Sequence, residues 1–231
     1  MTNHDDINGR QHFNKWSETY EPSFMQWLIF DRVHQGVFRR IPANFVPAHI
    51  LDIGCGTGRL LRRMHGRWPG AQLVGVDVAE GMVAKARKQT NYATIYQAPA
   101  EHLPLESESV NLVTSTTSFH HWSDHVQGVS EAVRVLRPGG GLFILADMTL
   151  ATHGRPISRP QVRDMFEDAG LSIRSQTSPV MFFTFTVGEK LRFYHPRPLQ
   201  SSSCTGLPDG FAFPIIIWHK AAAEPIRDQN G

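Results

Sequence analysis

The sequence predicts an α/β fold, in which a doubly wound, mostly parallel sheet of seven strands carries helices on both faces. One observation is that apolar, strand-like runs alternate with helical segments from residue 49 onward. This alternation is the pattern of parallel strands joined by crossover helices. The other is that the last two strand-like runs, LSIRSQTS and VMFFTFTVGEK, are separated only by Pro179. Because this connection is too short for a crossover helix, the two strands are expected to be antiparallel neighbours. The sheet is therefore expected to end in a hairpin.

The parallel part of the sheet is predicted from five runs, which are HILDI, AQLVGVD, ATIYQA, VNLVTST and GLFILAD. The last of these is continuously apolar, as central parallel strands are. Helices are expected over TGRLLRRMHGR, EGMVAKARKQT and SDHVQGVSEAVRVL. A further helix is predicted over ISRPQVRDMFEDAG, because Ser158 and Gln161 have capping-box spacing and Gly170 suits a helix stop.

The two ends of the chain are less regular. Large apolar residues recur at steps of three or four from Phe13 to Phe30, which predicts two short helices interrupted by Pro22. Residues 191–231 begin with a stretch rich in Pro, Ser and Gly and contain one more apolar piece, FAFPIIIWHK. Whether this piece adds a strand to the sheet is left open by the pattern.

Composition excludes several classes of protein. The 231 residues fit one domain, and 23 basic against 21 acidic side chains do not favour a nucleic-acid binder. Cys55 and Cys204 lie far apart, which argues against a disulfide framework and for a reducing cytoplasm. No apolar run approaches the roughly 18 residues of a membrane helix, so we expect a soluble, cytoplasmic protein with no membrane partner.

A metal site is not expected either. His121 and His125 have the i, i+4 spacing of a helical metal pair. However, the pattern lacks the glutamate of H-E-x-x-H and an evident third ligand. The arginines of the first crossover helix fit a solvated face opposite an apolar stripe of Leu60, Leu61 and Met64.

The stretch ILDIGCGTGRLL carries the strongest functional signal. Gly54, Gly56 and Gly58 allow a sharp turn and direct contact between a ligand and the main chain. Their spacing differs from the G-x-G-x-x-G of dinucleotide sites, and Asp52 would oppose a pyrophosphate in a site of low dielectric constant. S-adenosylmethionine has no phosphate and is cationic at its sulfonium and ammonium groups, so Asp52 would attract it.

Asp77 ends the second predicted strand, in LVGVD. The carboxyl ends of neighbouring parallel strands face one crevice, where an acid can accept hydrogen bonds from both ribose hydroxyls. A second possibility is that Asp77 is the N-cap of the helix EGMVAKAR. We favour the ribose role.

These segments resemble successive motifs of the class I S-adenosylmethionine-dependent methyltransferases, which have a Rossmann-like fold. The similarity is greatest to the small-molecule group that includes the ubiquinone and menaquinone C-methyltransferases. It runs in order from residue 49 to 187 through ILDIGCGTGRLL, LVGVDVAEGMVAKAR, AEHLPLESESVNLVTSTTSFHHW and EAVRVLRPGGGLFILAD. The resemblance implies a helical lid at residues 1–48 and a cofactor-binding methyltransferase domain at 49–190, followed by an extension at 191–231.

The resemblance also implies which residues bind the cofactor. The turn after the first strand would lie around the methionine part, Asp77 would bond the ribose and Met82 would pack on the adenine. The fourth strand would end near the sulfonium. The cofactor-binding residues are therefore expected to be Asp52, Gly54, Cys55, Gly56, Asp77, Val78, Met82, Ala100, Glu101, Ser115 and Thr116. The family often has an acid before Ala-Glu that reaches the adenine amino group, and Pro99 stands there instead.

The segment SFHHW follows the fourth strand, at the edge where a methyl acceptor would lie. If the acceptor must lose a proton, His120 or His121 is the candidate base, because imidazole titrates near neutral pH. In the resembling family the same positions often shape the cofactor pocket without acid-base work, which is the alternative. The lid would make Trp16, Tyr20 and Trp27 substrate contacts together with Trp122, although packing against the sheet explains the N-terminal aromatic residues as well.

The predicted function is methyl transfer from S-adenosylmethionine to carbon or oxygen of a small, apolar or aromatic metabolite, leaving S-adenosylhomocysteine. The N-P-P-Y or D-P-P-Y tetrapeptide of amino-methylating relatives is absent, since Thr-Ser-Thr-Thr stands after the fourth strand. Three alternatives remain. One is a non-methylating reaction in the same pocket, such as cyclisation or carboxymethyl transfer. The others are a nicotinamide-dependent oxidoreductase, disfavoured by the glycine spacing and Asp52, and a module that only senses the cofactor.

Overall fold

Seven strands form one sheet in the order β3-β2-β1-β4-β5-β7-β6. The computed structural model describes residues 24–148, 157–180 and 183–193, with side chains described from residue 28 and none for residue 180. The strands are β1 (His49–Ile53), β2 (Gln72–Asp77), β3 (Ala93–Gln97), β4 (Leu112–Thr116), β5 (Gly141–Met148), β6 (Ser172–Val180) and β7 (Phe183–Lys190). The first five are parallel, and β7 runs antiparallel to both of its neighbours.

Five α-helices accompany the sheet in the described part of the chain. They are α1 (Phe24–Arg40), α2 (Arg59–Arg67), α3 (Glu80–Gln89), α4 (His125–Val135) and α5 (Arg159–Asp168). A short 3-10 turn, Phe119–His121, follows β4. None of the helices in these residues is both long enough and apolar enough to cross a membrane.

Two apolar clusters cover the two faces of the sheet. One contains Val33 and Val37 of α1 with Leu61 and Met64 of α2, and the other contains Val129 of α4 with Val162 and Phe166 of α5. Strand β5 lies between them, and all of its residues except the last are buried. Helices on both faces of a mostly parallel sheet confirm the predicted fold class.

The hairpin is formed as expected, but the order of its two strands in the sheet could not be predicted from the local sequence pattern. Among the described strands, β7 pairs with β5 over eight residues, whereas β6, which precedes β7 in the chain, pairs only with β7. The final strand of the described chain is therefore inserted inside the sheet, and β6 forms the edge. The apolar piece FAFPIIIWHK lies outside the described residues.

The N-terminal prediction is corrected in one respect. Helix α1 begins after Pro22 and continues to Arg40, ten residues beyond the aromatic stripe that ended at Phe30. Its second half packs on the sheet, because Val33 and Val37 are fully buried and Gly36 lies against the ring of Phe185. Helix α1 thus packs against the sheet. Most of the lid expected at residues 1–48 precedes the described part of this helix.

Candidate active site

The turn after β1 is built on main-chain bonds to the neighbouring strand. The N–H groups of Gly54 and Cys55 both donate to the carbonyl of Val76, at 2.7 and 3.0 Å. Gly54, Gly56 and Gly58 have φ values of 70°, 54° and 77°, in the left-handed region that L side chains disfavour. A methyl group added to Gly56 would meet no atom within 4 Å. The turn therefore leaves its backbone open to a ligand at this residue.

Asp77, at the end of β2, holds this turn in place. Its Oδ2 accepts the N–H of Gly56 at 2.8 Å, and its Oδ1 accepts the N–H of Ala79 at 2.9 Å. Burial raises the pKa of Asp77, and these backbone donors counteract part of that rise. The N-cap of α3 is Ala79, so the alternative in which Asp77 is the N-cap does not describe this helix. A carboxylate has about four lone-pair sites, so Asp77 keeps capacity for ribose hydroxyls.

Asp52 lies within β1, paired with Gly75 of β2 and Thr114 of β4. Its side chain is buried, and Oδ1 accepts the hydroxyl of Thr114 at 2.8 Å. Burial raises the pKa of Asp52 to about 7, the Thr114 hydrogen bond opposes the rise, and the charge of Asp77 adds to it. Two buried carboxylates with raised pKa values make the region unfavourable for phosphate and favourable for a cation.

Helix α3 and the segments at the ends of β3 and β4 contribute buried groups near the same edge of the sheet. Met82 and Ala100 are 5% and 6% exposed. Ser115 is fully buried, and its hydroxyl has no hydrogen-bond partner among the residues that the structure describes. Glu101 Oε1 accepts the N–H of Asp124 at 2.9 Å, so this carboxylate secures the start of α4. The cofactor-binding roles of these residues, and those of Cys55, Val78 and Thr116, stay predictions.

The loop after β4 touches the glycine turn directly. Thr117 adopts φ 53°, which is strained for a β-branched residue. The next residue, Ser118, lies against Gly54. A methyl group on Gly54 would clash with the hydroxyl oxygen of Ser118. That hydroxyl also accepts the indole N–H of Trp122 at 3.1 Å. The loop after β4 and the glycine turn are thus in van der Waals contact.

His120 is fixed by an aspartate that the sequence analysis did not single out. Its Nδ1 lies 2.7 Å from Oδ1 of Asp147, and its backbone N–H donates to Oδ2 of the same carboxylate at 3.1 Å. Both side chains are buried. Asp147 ends the apolar part of β5, as Asp77 ends β2, and that shared position is the signal that could have identified it. His121 is exposed, with its ring centroid 3.9 Å from that of His120.

A crevice adjoins this pair at the carboxyl end of β5. Its apolar lining includes Leu145, Met148, Ile157 and Val162, and its polar lining includes Thr184, Thr186 and Arg159 in addition to His120 and Asp147. Arg159 is exposed and donates to the carbonyl of Gln176 at 2.9 Å. The crevice therefore combines an apolar wall with the buried His120–Asp147 pair.

The predicted substrate-contacting aromatic residues are only partly visible. Trp16 and Tyr20 lie outside the described residues, and Trp27 lies in α1 without a described side chain. Trp122 is 8% exposed and packs against Phe119 and the backbone at Gly128. A substrate could reach only a small part of its ring, so its contact role stays a prediction. Within the described ranges, no group of three or more His, Cys, Asp or Glu side chains could hold a metal ion.

The sequence of this site is similar to that of a known protein family. Residues 51–144, from β1 to the middle of β5, match the family model described as "Methyltransferase domain". Together with the curated relatives and the fold, this match supports a class I S-adenosylmethionine-dependent methyltransferase. The matched residues include the glycine turn, Asp77, the SFHHW loop and α4, so the family and the fold imply use of S-adenosylmethionine.

Among the curated relatives of this chain is a malonyl-[acyl-carrier protein] O-methyltransferase of Geobacter sulfurreducens. It is 42% identical over 141 residues, covering 59% of the chain and 51% of the relative. A demethylmenaquinone methyltransferase of Thermus thermophilus is 36% identical over 103 residues, covering 43% and 47%. The chain thus spans about half of the length of these relatives.

A solved S-adenosylmethionine-dependent methyltransferase of Aquifex aeolicus has the same fold. It superposes with a TM-score of 0.65 and 18% identity, covering 77% of this chain and 98% of the solved chain. At this identity the likeness concerns the fold alone.

Proposed function

We propose that the chain transfers a methyl group from S-adenosylmethionine to carbon or oxygen of a small, apolar or aromatic acceptor. The observation that carries the proposal is the pairing of an open glycine turn with two buried carboxylates, Asp52 and Asp77, at the carboxyl ends of β1 and β2. Such a site discriminates by charge, because burying a carboxylate is costly without a nearby cation. The cofactor, when bound, supplies an electrophilic methyl group on a sulfonium.

The chain's own residues would bind and orient rather than react covalently. Asp52 attracts the ammonium group, Asp77 accepts hydrogen bonds from ribose hydroxyls, and the backbone at Gly56 contacts the methionine part. Ser118, pressed against Gly54, marks where the acceptor region begins. Much of the acceleration of a methyl displacement comes from holding the acceptor atom in line with the methyl carbon and excluding water.

Two kinds of acceptor are suggested by the names of the relatives. One kind is the malonyl-[acyl-carrier protein] of the O-methyltransferases, and the other is demethylmenaquinone. The crevice beside His120 has an apolar lining from Leu145, Ile157 and Val162, which supports the apolar or aromatic kind.

The test begins with binding and ends with turnover. Calorimetric titration should give micromolar or tighter affinity for S-adenosylmethionine and S-adenosylhomocysteine and no heat with NAD. Transfer of labelled methyl groups should then be measured with a naphthoquinol and with a malonyl thioester. Binding of NAD alone would refute the proposal. Binding of S-adenosylmethionine without methyl transfer to either acceptor would favour the non-methylating alternative.

A further inference from the structure

The carboxyl group of Asp52 is held by one side chain of the neighbouring strand. Thr114 of β4 lies opposite Asp52 in the parallel register, and its hydroxyl oxygen is 2.8 Å from Oδ1 of Asp52. Asp52 is 2% exposed and Thr114 is 0% exposed. By comparison, three backbone N–H groups hold the carboxylate of Asp77. Within the described part of the chain, Thr114 is thus the single hydrogen-bond partner of the Asp52 side chain.

The hydroxyl of Thr114 also lies close to a second acceptor. Its oxygen is 3.3 Å from the carbonyl oxygen of Leu51, so it stands between a carbonyl and a carboxyl group. A hydroxyl donates one proton and accepts through two lone pairs, whereas an ionised carboxylate can only accept. Thr114 must therefore donate to Asp52 when Asp52 is ionised. When Asp52 is protonated, its own O–H can donate to Thr114, and the proton of Thr114 can turn to Leu51.

Both protonation states of Asp52 therefore find a hydrogen-bond partner in one arrangement of heavy atoms. The change from one state to the other requires only the rotation of a hydroxyl group. This matters in a buried site, because a buried polar group that loses its partner destabilises the protein. A valine at position 114 would have the same shape, but it would leave the carboxyl group without this partner in either state.

We propose that Thr114 is a positioning residue for the cofactor, which lets Asp52 keep a proton before binding and release it when the ammonium group of S-adenosylmethionine arrives. This rests on the proposed function, in which Asp52 attracts that group. The O–H bond of the carboxyl group breaks, its electron pair stays on the carboxylate, and the proton goes to solvent. The hydroxyl of Thr114 turns from Leu51 to Oδ1 of Asp52. An ion pair thus replaces a neutral carboxyl group.

The titratable groups around Asp52 are compatible with this exchange. Burial raises the pKa of Asp52 to about 7, the hydrogen bond from Thr114 opposes the rise, and the charge of Asp77 adds to it. Burial, together with Asp77 and Asp52, raises the pKa of the Cys55 thiol, which therefore stays neutral. Helices α1 and α2 cover the same face of the sheet, and burial lowers the pKa of His34 in α1 to about 3. The charges of α2 that act on His34 are those of Arg63, Arg59 and Arg62.

The experiment compares two variants of Thr114 in the full chain. Thr114→Val removes the hydroxyl and keeps the shape, and Thr114→Ser keeps the hydroxyl. Thr90→Val is the matched control, because Thr90 is also fully buried and donates to a carbonyl, that of Ala86, at 2.7 Å. Calorimetry follows the binding of S-adenosylhomocysteine, which has the ammonium group, and of 5′-methylthioadenosine, which lacks it. Titrations run from about pH 5.5 to about pH 8.5 in buffers of different ionisation enthalpy.

The wild-type protein should bind S-adenosylhomocysteine more tightly as pH rises, and it should release about half a proton at about pH 7. In Thr114→Val the ionised carboxylate lacks its donor, so the profile should move upward by about one pH unit. At about pH 7 this variant should bind about fivefold more weakly and release close to one proton, and at about pH 8.5 it should differ less than about twofold. Thr114→Ser and Thr90→Val should follow the wild-type profile. Binding of 5′-methylthioadenosine should show no such slope.

Carbon-13 NMR of the aspartate carboxyl groups measures the same protonation without a ligand. The Asp52 signal, identified by its loss in Asp52→Asn, should titrate near pH 7 in the wild type and at higher pH in Thr114→Val. The carbonyl carbon of Leu51 should titrate with the same midpoint, because it gains and loses the hydrogen bond from Thr114. These wild-type titrations carry the test if Thr114→Val does not fold.

Three results would overturn the inference. One is an Asp52 carboxyl group that stays ionised over the whole pH range in the free wild-type protein. Another is a Thr114→Val variant that binds S-adenosylhomocysteine equally more weakly at every pH with wild-type proton release. The third is a Thr114→Ser variant that behaves as Thr114→Val does. Failure of S-adenosylmethionine and S-adenosylhomocysteine to bind would instead refute the proposed function, while the NMR titrations would still show whether Thr114 controls the proton on Asp52.

Discussion

The carboxylate of Asp77 accepts the backbone N–H of Gly56 at 2.8 Å, which ties the end of β2 to the glycine turn after β1. One side chain therefore shapes the turn and presents acceptor oxygens beside it. Loss of this carboxylate should affect folding and binding together, and the two effects can be measured apart.

Asp77→Ala should weaken binding of S-adenosylmethionine tenfold or more, since a hydrogen bond to a charged group contributes roughly 1.5–3 kcal/mol. Calorimetry with adenosine and 2′,3′-dideoxyadenosine isolates the ribose contribution. The wild-type protein should prefer adenosine, and Asp77→Ala should not discriminate between them. Equal discrimination by both proteins would refute the ribose assignment, and a lower melting temperature alone would report only the bond to Gly56.

Asp52 should make stability depend on pH in a defined direction. Its pKa is raised from 3.8 to about 7, mainly by burial, so between about pH 4 and 7 the folded protein keeps a proton that the unfolded chain releases. Stability should therefore fall as pH rises through this window. Asp52→Asn, whose amide oxygen can still accept from Thr114, should flatten this part of the profile and raise the unfolding free energy at pH 8 by up to about 4 kcal/mol.

The same substitution should act oppositely on binding. A cation beside Asp52 favours the ionised carboxylate, so affinity for S-adenosylmethionine should rise with pH up to about 8 in the wild type. Asp52→Asn should bind more weakly and lose that slope. Titrations in buffers of different ionisation enthalpy should show proton release on binding by the wild type below pH 7. If Asp52→Asn were more stable than the wild type and bound S-adenosylmethionine with equal affinity, this account would be contradicted.

The glycines of the turn should differ in what they tolerate. Gly54→Ala adds a clash with Ser118 to the cost of a positive φ, so it should destabilise by more than the roughly 1–2 kcal/mol expected from φ alone. Gly56→Ala meets no protein atom and should carry only the φ cost, together with a loss of cofactor affinity. Denaturant unfolding measures the first difference and calorimetry the second.

A control is available in α2. A methyl group on Gly66 would also meet no atom within 4 Å, and this glycine has ordinary helical φ. Gly66→Ala should stabilise by about 0.5–1 kcal/mol with unchanged binding. Ser118→Gly removes both side-chain atoms that the added methyl group would meet, so it should recover part of the loss in Gly54→Ala, and no recovery would exclude the contact as its cause.

The start of α5 offers a test of local structure. Ser158 Oγ accepts the N–H of Gln161, and Gln161 Oε1 accepts the N–H of Ser158 at 2.9 Å, as the capping-box spacing predicts. Ser158→Ala should reduce the unfolding free energy by about 1 kcal/mol. A double-mutant cycle with Gln161→Ala should show positive coupling, whereas additive losses would mean that the two bonds form independently.

The sequence predicts those parts of the fold that depend on local pattern. The five parallel strands, the helix stop at Gly170 and the stripe of Leu60, Leu61 and Met64 follow from periodicity and turn chemistry, and the structure confirms them. The insertion of β7 between β5 and β6 follows from pairing between distant strands, which periodicity does not report. Helix α1 exceeds its aromatic stripe because Val33 and Val37 continue the buried face with small side chains.

The candidate site divides in the same way. Asp52 and Asp77 were identified because a glycine turn and a strand end draw attention to them. Asp147 was not, because its partner His120 is 27 residues away and no spacing rule links a loop to the end of the next strand. The rise of the Asp52 pKa to about 7 could not be predicted from the sequence either, because it depends on complete burial of the side chain among three strands.

The insertion of β7 has a consequence for synthesis of the chain. Strand β5 is buried on both faces and pairs over eight residues with β7, which ends only at Lys190. Until the ribosome has released that segment, β5, the most apolar of the described strands, has one unpaired backbone edge. Such an edge templates association with other chains. Truncation before Phe183 should therefore produce aggregation during expression, and a nascent chain paused there would be a natural client for chaperones.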